Sequence, residues 1–105
     1  MAENKSYMTK ELENGSVNIN EDVIVTIALA AVRDVEGVVN IKGVHVTMGD
    51  DNVELDCGII VVYGHSVVEI AKNVQNAVTN AVESMAGIKV TAVGVNVTGV
   101  SMGKA

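Results

Sequence analysis

Ala31-Val32-Arg33-Asp34-Val35-Glu36-Gly37-Val38 recurs 50 positions later as Ala81-Val82-Glu83-Ser84-Met85-Ala86-Gly87-Ile88, and the same shift sets Ile24 over Val74 and Ala28 over Val78. In each copy a helical run stops at a glycine, the residue that most easily turns left-handed past a helix C-terminus. A Val/Ile-rich segment follows at once, Val38 to Met48 in the first copy and Ile88 to Val100 in the second. The chain therefore reads as two copies of one unit, each a helix feeding a strand.

Outward from the repeat, Val53, Leu55, Cys57, Ile59, Val61 and Tyr63 alternate with Glu54, Asp56, Gly58, Ile60 and Val62, the period-2 pattern of a strand with one buried face. Gly49-Asp50-Asp51-Asn52 before it reads as a hairpin loop, and Gly43 as a bulge or bend in the preceding strand. Upstream, Ser16-Val17-Asn18-Ile19 predicts a short first strand. Asn20, followed by Glu21 and Asp22, sets a cap and two carboxylates at the start of a helix over 21–36. Its core stripe is Ile24, Ile27, Ala28, Ala31, Val32 and Val35. Ser66, with Glu69 three residues on, has the form of a capping box for the second helix. That helix carries Val67, Ile70, Ala71, Val74, Ala77, Val78, Ala81, Val82 and Met85 on its apolar side, and Val93, Val95 and Val97 alternate along the last strand.

The order strand, helix, strand, strand, helix, strand predicts an α+β, two-layer β-α-β-β-α-β domain. Its four-stranded sheet is expected to be mostly antiparallel or mixed, with both helices on one face. The expected organisation is a flexible tail over 1–14, one domain over 15–101 and a flexible end over 102–105.

Composition narrows the function. The chain of 105 residues has no Phe, Trp or Pro, and its hydrophobic 49% is mostly Val, Ala and Ile, which suits sheet and close helix packing. Thirteen acidic against seven basic residues give a formal charge of −6, which repels phosphate backbones and anionic lipid. Nucleic-acid binding and direct membrane insertion are not expected, and no apolar run approaches the roughly 20 residues of a membrane helix. Met1 to Asn14 lacks the apolar core of a secretory signal, and a single cysteine, Cys57, fits a reducing compartment, so the expected location is cytoplasmic.

No reactive constellation stands out, and no catalytic residue, cofactor or metal is assigned. Asp50, Asp51, Asn52, Glu54 and Asp56 cluster, but the central glycine and closing glutamate of a calcium loop are missing. His45 and His65 lack partners at metal-ligand spacing. Cys57 sits on the predicted core face, where a cysteine acts as a small hydrophobe. Gly94 to Ser101 has the glycines of a phosphate-binding loop with Val100 in the lysine's place, and no helix follows it. Instead, apolar side chains fall on surfaces that should be wet: Val25, Leu29 and Ala30 off the first helix's core stripe, and Ile60 and Val62 on the open side of the third strand.

With these elements placed, the chain resembles the alkaline shock protein family of Gram-positive bacteria, which includes general stress proteins. The matching residues are Gly15-Ser16-Val17-Asn18-Ile19 with Val23-Ile24, Glu36-Gly37-Val38, Val62-Tyr63-Gly64, Val74-Gln75, and Met85-Ala86-Gly87-Ile88-Lys89-Val90 through Val95-Asn96-Val97 to Gly99-Val100. The resemblance implies a non-enzymatic protein of cell-envelope stress response or homeostasis, a scaffold that binds itself, a membrane-anchored envelope protein, or both. It would sit at the inner face of the cell membrane through that partner. The alternative is a small-molecule-binding or regulatory module controlling a cytoplasmic enzyme, built around Tyr63, His65 and Gln75. The candidate interaction surface is thus Val25, Leu29, Ile60, Val62, Tyr63, His65 and Gln75.

Overall fold

Strand β4 (Asn52–Val62) is the centre of the molecule, and the computed structural model, which describes residues 7–102, builds the rest of the chain around it. Val53, Leu55, Cys57, Ile59 and Val61 are all buried, while Glu54 and Asp56 are exposed and Gly58, Ile60 and Val62 half-exposed. The expected alternation holds to Val62. Tyr63, expected on the buried face, lies in the turn after the strand and is 66% exposed. The chain bends there at Gly64, whose φ is 102°.

Strand β3 (Val38–Met48) pairs antiparallel with β4 through the tight loop at 49–51, where the Gly49 N–H donates to the Asn52 carbonyl at 2.8 Å. The pairing slips between Ile41 and Gly43, which is the bend expected at that glycine. Strand β5 (Lys89–Ser101) lies parallel to the other side of β4, giving the order β3-β4-β5. Its two slips pass over Thr91 and Thr98. At each, the threonine hydroxyl donates to a β4 carbonyl, Val53 or Ile59, at 3.3 Å. Side chains thus re-bond carbonyls where the backbone ladder lapses.

Helices α1 (Glu21–Arg33) and α2 (Val67–Ala86) cover the buried face of this sheet. Of the expected stripe of α1, Ile24, Ile27, Ala28, Val32 and Val35 are buried, and Ala31 is half-buried against the same core. From α2, Ile70, Val74, Val78 and Val82 enter the core, but Val67 and Met85 do not. The last two sit at the helix ends, beyond the reach of the sheet, and Met85 is 73% exposed. Ser66 caps α2 as expected, its Oγ accepting from the Glu69 N–H at 3.2 Å. Gly87 closes the helix in the left-handed region, with φ 68°.

Four expectations are corrected. The first helix ends at Arg33, not at 36. Its end tightens into i→i+3 turns, Asp34 N–H to Ala31 O and Val35 N–H to Val32 O, because Asp34 and the β-branched Val35 favour turns over continued helix. Asn20 stands at the N-cap without a side-chain capping bond. Part of the expected flexible tail is strand: β1 (Tyr7–Leu12) pairs antiparallel with β2 (Gly15–Asn20), and Met8, opposite Ile19, is buried at 3% exposure. Residues 1–6 and 103–105, the rest of the expected terminal segments, lie outside the described residues.

The fourth correction concerns the sheet, which has three strands and not four. The segment expected as its first strand, β2, leaves the sheet to pair with β1. The cause is composition: β2 offers only Val17 and Ile19 to bury, whereas β4 offers a full row of five. The hairpin is anchored at its base by Met8 and Ile19, while Leu12 and Val17, on the same face, are exposed. The radius of gyration is 15.0 Å, above the roughly 13 Å of a compact chain of about this length.

Candidate functional site

Two surfaces that no described element covers remain once the core is closed, on opposite sides of the molecule, one apolar along its length and one apolar at one end. On the sheet's open face, register places Asn40, Gly43, His45 and Thr47 of β3 beside Ile60, Gly58, Asp56 and Glu54 of β4. Those β4 residues in turn lie beside Gly99, Asn96, Gly94 and Ala92 of β5. Carboxylates gather at one end, and Ile60 and Val62 at the other. Ile60 leans over Gly99, where a methyl group would sit 3.7 Å from its Cγ1. No described element covers this face. The strand beside it, β5, is a sheet edge of 13 residues whose only charged residue is Lys89, and unguarded edges of this kind accept further strands.

The second surface is the outward side of α1. Between Asp22 and Arg33 the helix has no charge at all, and Val23, Thr26 and Ala30 are exposed with Val25 and Leu29 half-buried. Helix α2 differs: its outward side is Glu69, Lys72, Asn73, Gln75, Asn76, Asn80 and Glu83. A helix apolar on its solvent side as well as its core side is normally covered. Leu29 and Arg33 also line a cleft of about 190 Å³ with Val38, Val39, Asn40 and Ile41.

The sequence-derived candidates therefore divide. Val25 and Leu29 belong to the α1 surface; Ile60 and Val62 belong to the open sheet face. Tyr63 is at that face's end, its N–H donating to the Ser101 carbonyl at 2.7 Å. His65 and Gln75 join neither surface. His65 borders a cleft of about 230 Å³ with Glu36, Ser66, Glu69, Ile70 and Asn73. Gln75 lies further along α2, where its Nε2 donates to the Val93 carbonyl at 3.1 Å and ties helix to edge strand. Both clefts are smaller than the roughly 300–1,000 Å³ of ligand pockets. Sequence reading singled out Ala30 beside Val25 and Leu29 but missed Val23, Thr26 and Arg33; the signal was the uncharged run of ten residues between Asp22 and Arg33.

Cys57 is fully buried, and its thiol is pushed up to about 11, by burial first and by the neighbouring Asp56 carboxylate second. That opposes a thiolate nucleophile. Among the described residues no three His, Cys, Asp or Glu side chains converge to ligate a metal ion, and no helix is long and apolar enough to cross a membrane.

Residues 39–102 match the model of the alkaline shock protein 23 family, described as having cell envelope-related function. The chain is 29% identical over 106 residues to the uncharacterized protein YloU of Bacillus subtilis (strain 168), covering 82% of this chain and 88% of that one. Among solved structures, the MamM CTD over its residues 215–293 superposes with a TM-score of 0.57 at 18% identity, across 76% of this chain and 99% of the other. A single-residue variant of the same domain gives 0.58 at 18% identity, across 76% and 98%. Identity that low shows a shared fold.

Proposed function

The chain belongs to the alkaline shock protein 23 family, of cell envelope-related function, and from that premise we propose that it is a non-enzymatic scaffold of envelope stress response or homeostasis. It joins copies of itself to a membrane-anchored protein on the cytoplasmic side. The observation that carries this reading is the pair of uncovered surfaces on opposite layers, the apolar α1 exterior and the Ile60–Val62 end of the open sheet face. Two faces let one small domain bind in two directions at once. The sheet face, with Ile60 beside Gly99 and Val62 beside Ser101 of β5, suits the envelope partner, because small residues let another backbone approach. No observation favours the alternative of a small-molecule or regulatory module: Gln75 is held by β5, and the clefts are small.

The test is capture of the tagged protein from cross-linked, detergent-solubilised cells of its own host, with the membrane-bound share recorded. A membrane protein should be recovered with it, and Ile60→Glu or Val62→Lys should release that protein and lower the membrane share. Recovery without any membrane protein, or capture indifferent to both substitutions, would overturn the reading.

A further inference from the structure

The stripe of α1 farthest from the core is self-complementary. At 100° per residue, the positions opposite the buried set of Ile24, Ile27, Ala28, Val32 and Val35 are Asp22, Thr26, Leu29 and Arg33, flanked by Val25 and Ala30. Each position has a counterpart related by reversal of the helix: Asp22 corresponds to Arg33, Thr26 to Leu29, and Val25 to Ala30. We infer that α1 packs antiparallel against α1 of a second copy about a two-fold axis, in the self-association that the proposed function rests on. In that arrangement Asp22 of each copy meets Arg33 of the other, and Thr26 meets Leu29.

Three physical features favour a second copy over an unrelated occupant. The interface of a two-fold dimer must be complementary to itself, and this stripe is, in charge at its ends and in size at its centre. Its carboxylate stands at the helix N-terminus and its guanidinium at the C-terminus, so antiparallel packing brings opposite charges and opposite helix ends together. Arg33 and Asp22 are exposed, and neither makes an ion pair among the described residues. Thr26 and Ala30 are small enough to let the two helices approach closely. The net charge of −6 opposes association of like chains in general, and this is the outward helix side with no charge along its middle.

The contact spans about 16 Å of helix, less than a standard interface of roughly 800 Å² per partner, so the dimer is weak and concentration-dependent. Sedimentation equilibrium of the full chain up to about 1 mM tests it. The unmodified protein should show a monomer–dimer equilibrium. Asp22→Arg and Arg33→Asp each turn two attractive contacts into repulsive ones and should weaken self-association about 10-fold. Mixed together, the two variants should form a heterodimer at least as tight as the original, because one supplies arginine at both ends and the other aspartate. Thr26→Glu should give monomer, with the helical circular dichroism retained. A protein that stays monomeric throughout overturns the inference, as does a dimer indifferent to both charge reversals or a mixture that fails to pair. The scaffold reading fails separately, through loss of the membrane partner with Asp22 and Arg33 intact.

Discussion

Gly37 and Gly87 hold equivalent places in the two repeated units and both have positive φ, 99° and 68°. Replacing each by alanine nonetheless has unequal consequences, because their surroundings differ. A methyl group on Gly87 meets nothing within 4 Å, whereas one on Gly37 would lie 2.6 Å from Cδ1 and 2.9 Å from Cγ1 of Ile70. Ile70 is 3% exposed and packed into the core, so it cannot swing away into solvent. For Gly87→Ala the cost is the left-handed conformation alone, about 1 kcal/mol after the gain from a less flexible unfolded chain. For Gly37→Ala, strain of ~1–3 kcal/mol adds to overpacking of ~1–3 kcal/mol, less an offset of ~0.4–1 kcal/mol, for a total of about 1–6 kcal/mol centred near 3. At about 4–8 °C per kcal/mol the Tm should fall by roughly 10–25 °C, against roughly 4–8 °C for Gly87→Ala. Urea unfolding with a double-mutant cycle identifies the source: Ile70→Val removes Cδ1, and in combination with Gly37→Ala the two costs should add to less than their sum. Equal losses for the two glycines within about 0.5 kcal/mol, or a strictly additive cycle, would refute the role given to Ile70.

Removing the α2 cap with Ser66→Ala should cost about 1 kcal/mol in urea unfolding, since the Glu69 N–H then loses its side-chain acceptor. Cys57 should resist iodoacetamide in the native protein and react once the protein unfolds. The folded thiol keeps its proton up to about pH 11, while the unfolded thiol releases it near 9.0. Its contribution to stability is therefore whole below pH 9 and declines as pH climbs from 9 toward 11; Cys57→Ala, compared with the parent across that window, should lack this decline. Met8→Ala should free the hairpin more than it unfolds the body: amide exchange over residues 9–19 should quicken while that of β4 is unchanged, because the two strands join the core through Met8 and Ile19.

Much of the fold was legible because it depends on local spacing. The row Val53, Leu55, Cys57, Ile59 and Val61 could bury only one face of a strand, and Ile70, Val74, Val78 and Val82 only one stripe of a helix. Ser66 and Gly87 marked the ends of α2 for reasons confined to a few neighbouring residues. The first hairpin turns at Glu13-Asn14, with Gly15 opening β2, and the charges of Lys10, Glu11 and Glu13 masked it in the sequence. Of the candidate surface, Val25, Leu29, Ile60 and Val62 were visible as apolar residues out of phase with the core. Thr26 and Arg33 were not, since a small polar or charged residue on the far side of a helix looks ordinary until the helix's outer line is drawn.

The sequence by itself determined both helices' core stripes, the three strands of the main sheet and the family to which the chain belongs, because periodicity, capping and turn chemistry act over a few residues. Only the tertiary structure decided which strands meet. The repeat implied that β2 would stand in the sheet as β4 does, yet β2 lacks the apolar row needed for a place there and pairs with β1 instead. Likewise only the packed molecule revealed that β5 runs parallel to β4, leaving one sheet face and one helix exterior uncovered on opposite sides. Strand pairing and surface exposure are sums over contacts distant in sequence, and the decisive term is how much apolar surface each competing arrangement can bury.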